Sequence, residues 1–478
     1  MTDDFPAPIY AETVLAPNFE EAKRHFLDDL IQIHYAHTRM LARQGILTAA
    51  EERALIAALG GLDRQAIAAA PYDGSCEDLF FHVEQILKAS CGELAGKMHT
   101  ARSRNDVDVT LYRMGVRWKL LEFARAVAGV RSVALDLAGR HVDTVMPAHT
   151  HTQPAQPTTL AHYMLAVAEF LARDAARVED AFARVNLCPM GACAITTTGF
   201  PIDREMTARL LGFEGLAENS YGAIASVDYV TESAAAIAVA MVNIGKFVQD
   251  LLLWSTREFG FVRVSPAFVQ CSSIMPQKRN PVALEHARIL ASRAFGEAQG
   301  VFTCVHNTPF GDINDSEDDL QPLVQSAFDD ARRCLRLLAG VLRAAEFDRE
   351  KLARRAASDF ITVTELADTL VRHAGLSFRE AHGIVSRAVS QATDDTPAAI
   401  AAALIAQNPS LPLPREEMDR SLDPRHFVQV RRIPGGPAPE IVEAALGRAA
   451  EEQARITEWI RAKEEMIELA RRQLVDAG

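Results

Sequence analysis

The sequence predicts an all-α protein whose subunit has three domains arranged around a central bundle of long helices. Hydrophobic residues make up 49% of the chain but aromatic residues only 7%, so the apolar content is mostly Ala, Leu, Val and Ile. Ala and Leu favour helices, whereas strands favour β-branched and aromatic residues. Three long windows also lack proline, at 106–141, 158–186 and 227–259. With 478 residues, the chain is too long for one compact core.

The elements along the chain divide it into three predicted domains. We expect an N-terminal helical domain over 1–105, the long-helix bundle over 106–358, and a small domain of shorter helices with proline-rich connections over 359–478. In the first domain, Thr48 is placed as a helix N-cap with Glu51 at the capping-box position. In the bundle, 234–240 is small or apolar all round, which implies burial on every side and hence an oligomer.

Charge and composition exclude several classes of protein. The net charge of −13 argues against nucleic-acid binding, which needs a basic face. No run of eighteen apolar residues spans a bilayer, and residues 1–4 are acidic where a signal peptide is basic. Seven cysteines without a C-x-x-C pair fit free thiols in a reducing compartment. We therefore expect a cytoplasmic protein. No nucleotide-binding glycine motif is present, so no cofactor is predicted.

The first polar segment, 99–106, precedes the first long window and contains Ser103, Arg104 and Asn105. Hydroxyl, guanidinium and amide groups at a helix N-terminus form a good carboxylate site, because the helix dipole and Arg both favour an anion. The alternative is an ordinary capped helix start with solvated arginines.

A second polar segment, 150–157, precedes the second long window and contains Thr150, His151 and Gln153. Histidine titrates near neutral pH and can transfer a proton. The alternative is a metal site built on His149 and His151, although no acidic residue nearby in the sequence completes a ligand set.

The third segment is a polar loop within 266–281, ahead of a helix-prone run. Its chemistry-bearing residues are Ser272, Ser273, Met275, Lys278 and Asn280. A serine acts as a base only in a positive, preorganised setting, which Lys278 and the loop's own N–H groups could supply. No G-x-S-x-G elbow surrounds Ser272. The alternative is a surface loop with solvated hydroxyls.

Glu285 follows on the next predicted helix, five residues past Asn280. It could orient His151, as a carboxylate orients imidazole in a Ser-His-Asp triad. The alternative is a surface glutamate that makes a routine ion pair.

Together these segments resemble the argininosuccinate lyase branch of the fumarase/aspartase superfamily, which includes delta-crystallin. Residues 99–106 are similar to the family's H-T-G-R-S-R-N-D, with Ala101 in place of glycine. Residues 146–151 resemble M-P-G-Y-T-H. Residues 271–281 resemble G-S-S-I-M-P-Q-K-K-N-P, with Cys271 in place of glycine.

The resemblance implies a cofactor-free carbon–nitrogen lyase that eliminates fumarate from a dicarboxylate. Ser272 would be the general base, with Lys278 and Asn280 holding the carboxylate that becomes the aci-carboxylate of a carbanion. His151, paired with Glu285, would act on the leaving-group side. The succinyl carboxylates would be bound by Ser103, Arg104, Asn105, Thr150 and Gln153, and Ser273 and Met275 complete the implied site. The family further implies a homotetramer whose active sites combine three subunits.

The sequence departs from the family around the leaving group. A family histidine is replaced by Phe80, and a family arginine by Val227. The family segment Y-N-x-D-L-Q-E-D-K aligns with 312–320, where Asp312, Glu317 and Leu320 replace tyrosine, glutamine and lysine. An acidic pocket suits a cationic amine. We therefore expect an N-substituted L-aspartate other than argininosuccinate, for which ethylenediamine-disuccinate lyase is a reference.

Three other interpretations stay open at this point. Argininosuccinate itself remains the substrate if the changes are drift. A structural, crystallin-like protein on the same fold is a second alternative, although Ser272, His151 and Lys278 are all present. A metal-dependent hydrolase using His149 and His151 is the third.

Overall fold

The N-terminal region consists of short helices that pack on the main core. The computed structural model describes residues 5–476, so the acidic 1–4 segment lies outside the described residues. A π-helical turn, Ala11–Leu15, joins the first two helices, and Thr48 and Glu51 form the predicted capping box. The helices are α1 Pro8–Tyr10, α2 Ala16–His25, α3 Leu27–Arg43, α4 Ala49–Gly60, α5 Arg64–Ala69, α6 Leu79–Cys91 and α7 Leu94–Lys97.

The central bundle confirms the prediction of long helices. All three proline-free windows are helical over most of their length, as α8, α9 and α12, and the helix-prone run after the polar loop forms α13. The bundle comprises α8 Arg104–Arg140, α9 Leu160–Val185, the short α10 Arg204–Leu210 and α11 Ser220–Ala225, α12 Asp228–Trp254, α13 Val282–Val305 and α14 Gln321–Arg343.

The strands are short and form two-stranded pairs. Antiparallel β1 (Val145–Thr150) and β2 (Gln153–Thr159) make a hairpin between α8 and α9. The remaining strands are β3 Leu187–Cys188, β4 Gly215–Leu216, β5 Val262–Arg263, β6 Gln270–Cys271, β7 Arg279–Asn280 and β8 Glu346–Phe347. β3 pairs with β4 in parallel, whereas β5–β8 and β6–β7 are antiparallel. The all-α fold class is therefore confirmed.

The C-terminal region returns to the bundle. Its helices are α15 Arg349–Ala356, α16 Val363–Ala374, α17 Phe378–Gln391, α18 Pro397–Gln407, α19 Arg415–Ser421, α20 Pro424–Gln429 and α21 Pro439–Asp476. Helices α16–α19 enclose a small core of their own. Short helices were expected to the end of the chain, but α21 has 38 residues, and its apolar residues Ile456, Ile460 and Ile467 join the main core. The division at 105 and 358 stays a prediction.

The long helices run side by side and give the bundle two ends. At the start of α8, Arg113 donates to the Arg184 carbonyl at the end of α9 (2.9 Å). We call this the Ser103 end. At the other end, Tyr163 of α9 donates to Asp250 near the end of α12 (2.6 Å); we call this the hairpin end. Because α8 has 37 residues, the two ends are about 55 Å apart at the usual helical rise.

Part of α12 is uncovered in the single chain. The 234–240 stretch was predicted to be buried on every side, but Val239 is 40% exposed, and Val242 on the same helix is 49% exposed. Ile289 and Phe302 of α13 are exposed as well. Among the described residues, α12 alone is long and apolar enough to cross a membrane, although core helices of soluble proteins pass the same test. The exposed apolar residues are consistent with the predicted oligomer.

Candidate active site

The predicted anion-binding segment lies at the Ser103 end, in the first turn of α8. Ser103 is the N-cap, and its hydroxyl donates to the Asn105 side-chain oxygen (2.8 Å). Arg104 forms an ion pair with Asp78 and lies 3.4 Å from Glu77. The three predicted side chains are therefore neighbours, positioned at a capped helix N-terminus.

Asp106 holds this segment in place through hydrogen bonds to the backbone. It is fully buried, and its carboxylate accepts hydrogen bonds from the backbone N–H groups of Ser103 (2.9 Å), Gly191 (2.8 Å) and Cys193 (2.9 Å). Burial raises the pKa of Asp106 to about 6, although the three N–H groups favour its charged form. Asn105 also donates to the Ala194 carbonyl (3.1 Å). Asp106 thus ties the start of α8 to the 189–199 loop.

Sequence reasoning missed the 189–199 loop. Gly191 has a φ of +87°, and a side chain there would come within 2.6 Å of Arg204 Cγ. A glycine two residues after a proline, in the break that follows a long helix, is the signal that could have marked this turn.

An acidic cluster adjoins Arg104 at the same end. It contains carboxyl groups from α8 and from the segment ahead of α14, namely Asp108, Asp312, Glu317 and Asp318. The Tyr112 hydroxyl donates to Asp318 (2.8 Å), and the Glu317 and Asp312 side chains are hydrogen-bonded to each other. Burial, followed by the bond to Asp312, raises the pKa of Glu317 to about 8. Burial likewise raises the pKa values of Asp108 and Asp318.

Phe80, which replaces a family histidine, is part of the core. It is buried and lies edge-on to the rings of His34 (5.7 Å between centroids) and His99 (5.6 Å). The Arg102 guanidinium stacks over it at 5.2 Å. An imidazole at this position would have needed polar partners, whereas Phe80 contributes packing.

The hairpin places Thr150, His151 and Gln153 at its exposed tip. His151 and Thr152 have φ values of +52° and +63°, the left-handed pair that tight two-residue hairpin turns require. His149 lies before the tip, and the centroid of its ring is 6.0 Å from that of Phe259. Within residues 5–476, no three His, Cys, Asp or Glu side chains group closely enough to hold a metal ion.

The Ser272 loop is closed at its base by the pairing of β6 and β7. The Ser272 hydroxyl oxygen accepts hydrogen bonds from the backbone N–H groups of Met275 (3.0 Å) and Ile274 (3.3 Å). These are the loop N–H groups that the sequence led us to expect, and they would stabilise a negative charge on that oxygen. Ser273, Met275 and Lys278 are exposed at the tip, and Asn280 lies in β7 at the base.

The predicted pair of His151 and Glu285 does not form within one chain. Both side chains are exposed, and in the described part of the chain no hydrogen bond or ion pair joins them. Glu285 lies in the first turn of α13. Cys334, in the second half of α14, donates to the Ala287 carbonyl (3.1 Å), which places this turn at the hairpin end. The hairpin end therefore contains His151, Glu285 and the Ser272 loop, and the Ser103 end contains the predicted anion-binding segment.

Comparison with known proteins identifies the class to which this fold and these segments belong. Residues 22–296 match the lyase family, and residues 360–429 match the argininosuccinate lyase C-terminal family. A solved structure of EDDS lyase in complex with formate is similar over 98% of this chain and 95% of that chain, with a TM-score of 0.87 and 33% identity. A structure of an EDDS lyase variant with bound fumarate matches equally well.

Curated relatives identify the branch of the lyase family to which the chain is most similar in sequence among these comparisons. Argininosuccinate lyase 2 of Agrobacterium fabrum is 43% identical over 454 residues, which cover 93% of this chain and 90% of the relative. Argininosuccinate lyase of Methanoculleus marisnigri is 42% identical over 431 residues, covering 89% and 87%. The chain belongs to the argininosuccinate lyase branch of the fumarase/aspartase superfamily, as its motifs predicted, and is a carbon–nitrogen lyase that gives fumarate.

Proposed function

We propose that the enzyme catalyses the reversible anti β-elimination of an N-substituted L-aspartate other than argininosuccinate, giving fumarate and an amine. The observation that carries the proposal is the acidic cluster beside Arg104. It lies next to the segment proposed to bind the aspartate carboxylates and supplies negative charge for a cationic leaving group. Aminopolycarboxylates such as ethylenediamine-disuccinate are the reference substrates, consistent with the similarity to EDDS lyase.

Ser272 acts first in the proposed mechanism. Its oxygen, with two N–H donors already aimed at it, removes the proton from the carbon β to the nitrogen. The electron pair moves into the adjacent carboxylate, which Lys278 and Asn280 hold as an aci-carboxylate. Its collapse forms the double bond of fumarate, and the C–N bond breaks with its electrons going to nitrogen.

The remaining groups bind substrate and assist departure of the amine. Ser103, Arg104 and Asn105 bind carboxylate from one side, and Thr150 and Gln153 from the hairpin. His151, oriented by Glu285, transfers a proton or stabilises charge on the leaving-group side. Ser273 and Met275 border the same substrate. These roles require no cofactor.

A complete site on this mechanism needs more than one copy of the chain. The Ser103 segment and the hairpin lie at opposite ends of α8, about 55 Å apart by its 37 residues, whereas a substrate of this class is far shorter. We infer a homotetramer whose active sites combine segments of different subunits. The exposed apolar residues Val242, Ile289 and Phe302 supply its contact surface.

The testing experiment follows fumarate by its ultraviolet absorbance with argininosuccinate, aspartate, ethylenediamine-disuccinate and other N-substituted aspartates. Turnover of an N-substituted aspartate, with argininosuccinate inert, is the expected result. Fast turnover of argininosuccinate would instead support the second candidate, argininosuccinate lyase, which the 43% identity to a relative of that name favours.

A further inference from the structure

Four carboxyl groups at the Ser103 end take part in no ion pair within residues 5–476. Arg104 pairs with Glu77 and Asp78. No ion pair within the described residues reaches the members of the acidic cluster, Asp108, Asp312, Glu317 and Asp318. Their hydrogen bonds come from Tyr112 and from one another. Like charges in a partly buried place are costly, so some of these groups keep protons, and a positive ligand would allow more of them to ionise.

A buried amide next to the cluster gives an independent indication of a ligand. Gln321, at the start of α14, is 3% exposed, and its side-chain nitrogen donates to the Glu317 carbonyl (3.3 Å). Its side-chain oxygen is buried without a hydrogen-bond donor. Exchanging the two amide atoms does not resolve this, because the Glu317 carbonyl can only accept. The unpaired oxygen belongs to a side chain that contacts Glu317. A ligand that brings a hydrogen-bond donor and a positive charge would satisfy both this oxygen and the carboxyl groups.

The position of the cluster defines which part of a ligand would reach it. Arg104 acts electrostatically on Asp108, Glu317 and Asp318 and is flanked in sequence by Ser103 and Asn105. In the proposed function, these three residues bind the aspartate part of the substrate. The cluster then faces the substituent on the substrate nitrogen.

We propose that the acidic cluster, with Gln321, is a subsite for a second ammonium group on the leaving amine, so that the preferred substrate is an aspartate N-substituted with a diamine. This inference rests on the proposed function and narrows its substrate class. Within the proposed substrate class it ranks simple diamine aspartates above the reference substrate ethylenediamine-disuccinate, whose far end adds two more carboxylates that would meet like charge.

A matched substrate series tests the subsite. N-(aminopropyl)-L-aspartate, N-butyl-L-aspartate and N-(carboxyethyl)-L-aspartate differ chiefly in the charge of the tail, and fumarate formation is followed for each with the full chain. We expect kcat/KM to be about tenfold or more higher for the aminopropyl than for the butyl compound, and lowest for the carboxyethyl compound. Equal kcat/KM for the aminopropyl and butyl compounds would overturn the inference while leaving the proposed elimination in place.

Variants of the acidic cluster test whether it causes the preference for the aminopropyl compound. Glu317→Gln and Asp318→Asn should each lower the aminopropyl-to-butyl ratio about fivefold or more, because each removes one carboxyl group that would be ionised beside the bound ammonium group. Glu451→Gln, an exposed position on α21, is the matched control and should keep the wild-type ratio. An unchanged ratio in both cluster variants would overturn the assignment of this subsite.

A direct binding measurement separates failure of the subsite from failure of the proposed reaction. Calorimetry would compare diaminopropane with propylamine, each added to the enzyme in the presence of fumarate. Preferential binding of the diamine, lost in Glu317→Gln, supports the subsite even if every aspartate of the series is inert, in which case the proposed reaction alone fails. Equal or undetectable binding of both amines, together with equal kcat/KM values, contradicts the subsite.

Discussion

At the Ser103 end, each proposed binding side chain has partners within its own chain, whereas at the hairpin end Thr150, His151 and Gln153 are exposed. Asp106 alone accepts three backbone hydrogen bonds under the Ser103 segment. The tip of the Ser272 loop is exposed instead, with Ile274 81% exposed. One end is therefore organised by a single chain, whereas the other exposes the groups that, in the proposed function, are completed by another copy.

The largest effect should come from the hairpin end. Ser272→Ala removes the proposed base, so kcat should fall by about 100- to 10,000-fold, the usual contribution of a general base, while substrate still binds. Fumarate release and equilibrium binding of the substrate are the two measurements. Ser390→Ala, on an exposed face of α17, is the control. Activity close to wild type would remove Ser272 from the mechanism.

The next test asks whether copies of the chain assemble, so that the Ser103 end of one copy can meet the hairpin end of another. Ile289→Asp places a charge on an exposed apolar position of α13. If copies pack there, burying that carboxylate is costly, so the mass measured by light scattering should drop and activity should be lost with it. Glu468→Asp, on α21, serves as the control. A variant that stays fully active and unchanged in mass would contradict an interface at this face.

Asp106→Asn tests the single-chain organisation of the Ser103 end. Asparagine has the same size but lacks the negative charge to which three backbone N–H groups donate. The substitution should therefore lower the free energy of unfolding by about 1–3 kcal/mol. Because Ser103 and Asn105 would lose their support, KM should rise more than kcat falls. Denaturant unfolding and steady-state kinetics check both. Asp203→Asn, a substitution of the α10 N-cap, is a comparison that should leave KM near wild type.

A smaller effect should appear as a pH dependence at the acidic cluster. Below pH 8 the Asp312–Glu317 pair retains a proton, because the pKa of Glu317 is raised to about 8. A bound ammonium group favours the ionised pair and must displace that proton. The KM of N-(aminopropyl)-L-aspartate should therefore fall as pH rises from about 6 to 8, by roughly tenfold per unit at most, and then level off.

Other charged and titratable groups face Glu317, and a titration of any of them in the same pH range would also change KM. They are Arg104, Asp108, Tyr112, Tyr229, Asp312 and Asp318. Arg104 stays charged throughout this range, and burial raises the pKa of Tyr112 and brings that of Tyr229 to about 12, so neither tyrosine titrates. Glu317→Gln should flatten the dependence. A KM that ignores pH in the wild type would contradict the shared proton.

The amino-acid sequence by itself determined the local features. The long helices follow from Ala- and Leu-rich windows without proline, and the caps at Thr48 and Ser103 follow from side chains that bond backbone groups three residues away or fewer. The Ser272 loop could also be read locally, because its N–H donors are two and three residues from the serine.

Only the tertiary structure decided which distant segments meet. Tyr112 and Asp318 are 206 residues apart in the chain, and Asp106 reaches Gly191 across 85 residues. The expectation of short helices to the C-terminus failed for the same reason, since the place of α21 depends on the uncovered side of α8 and α9. Periodicity reports which face of a helix is apolar, but packing of the whole chain selects the surface that covers it.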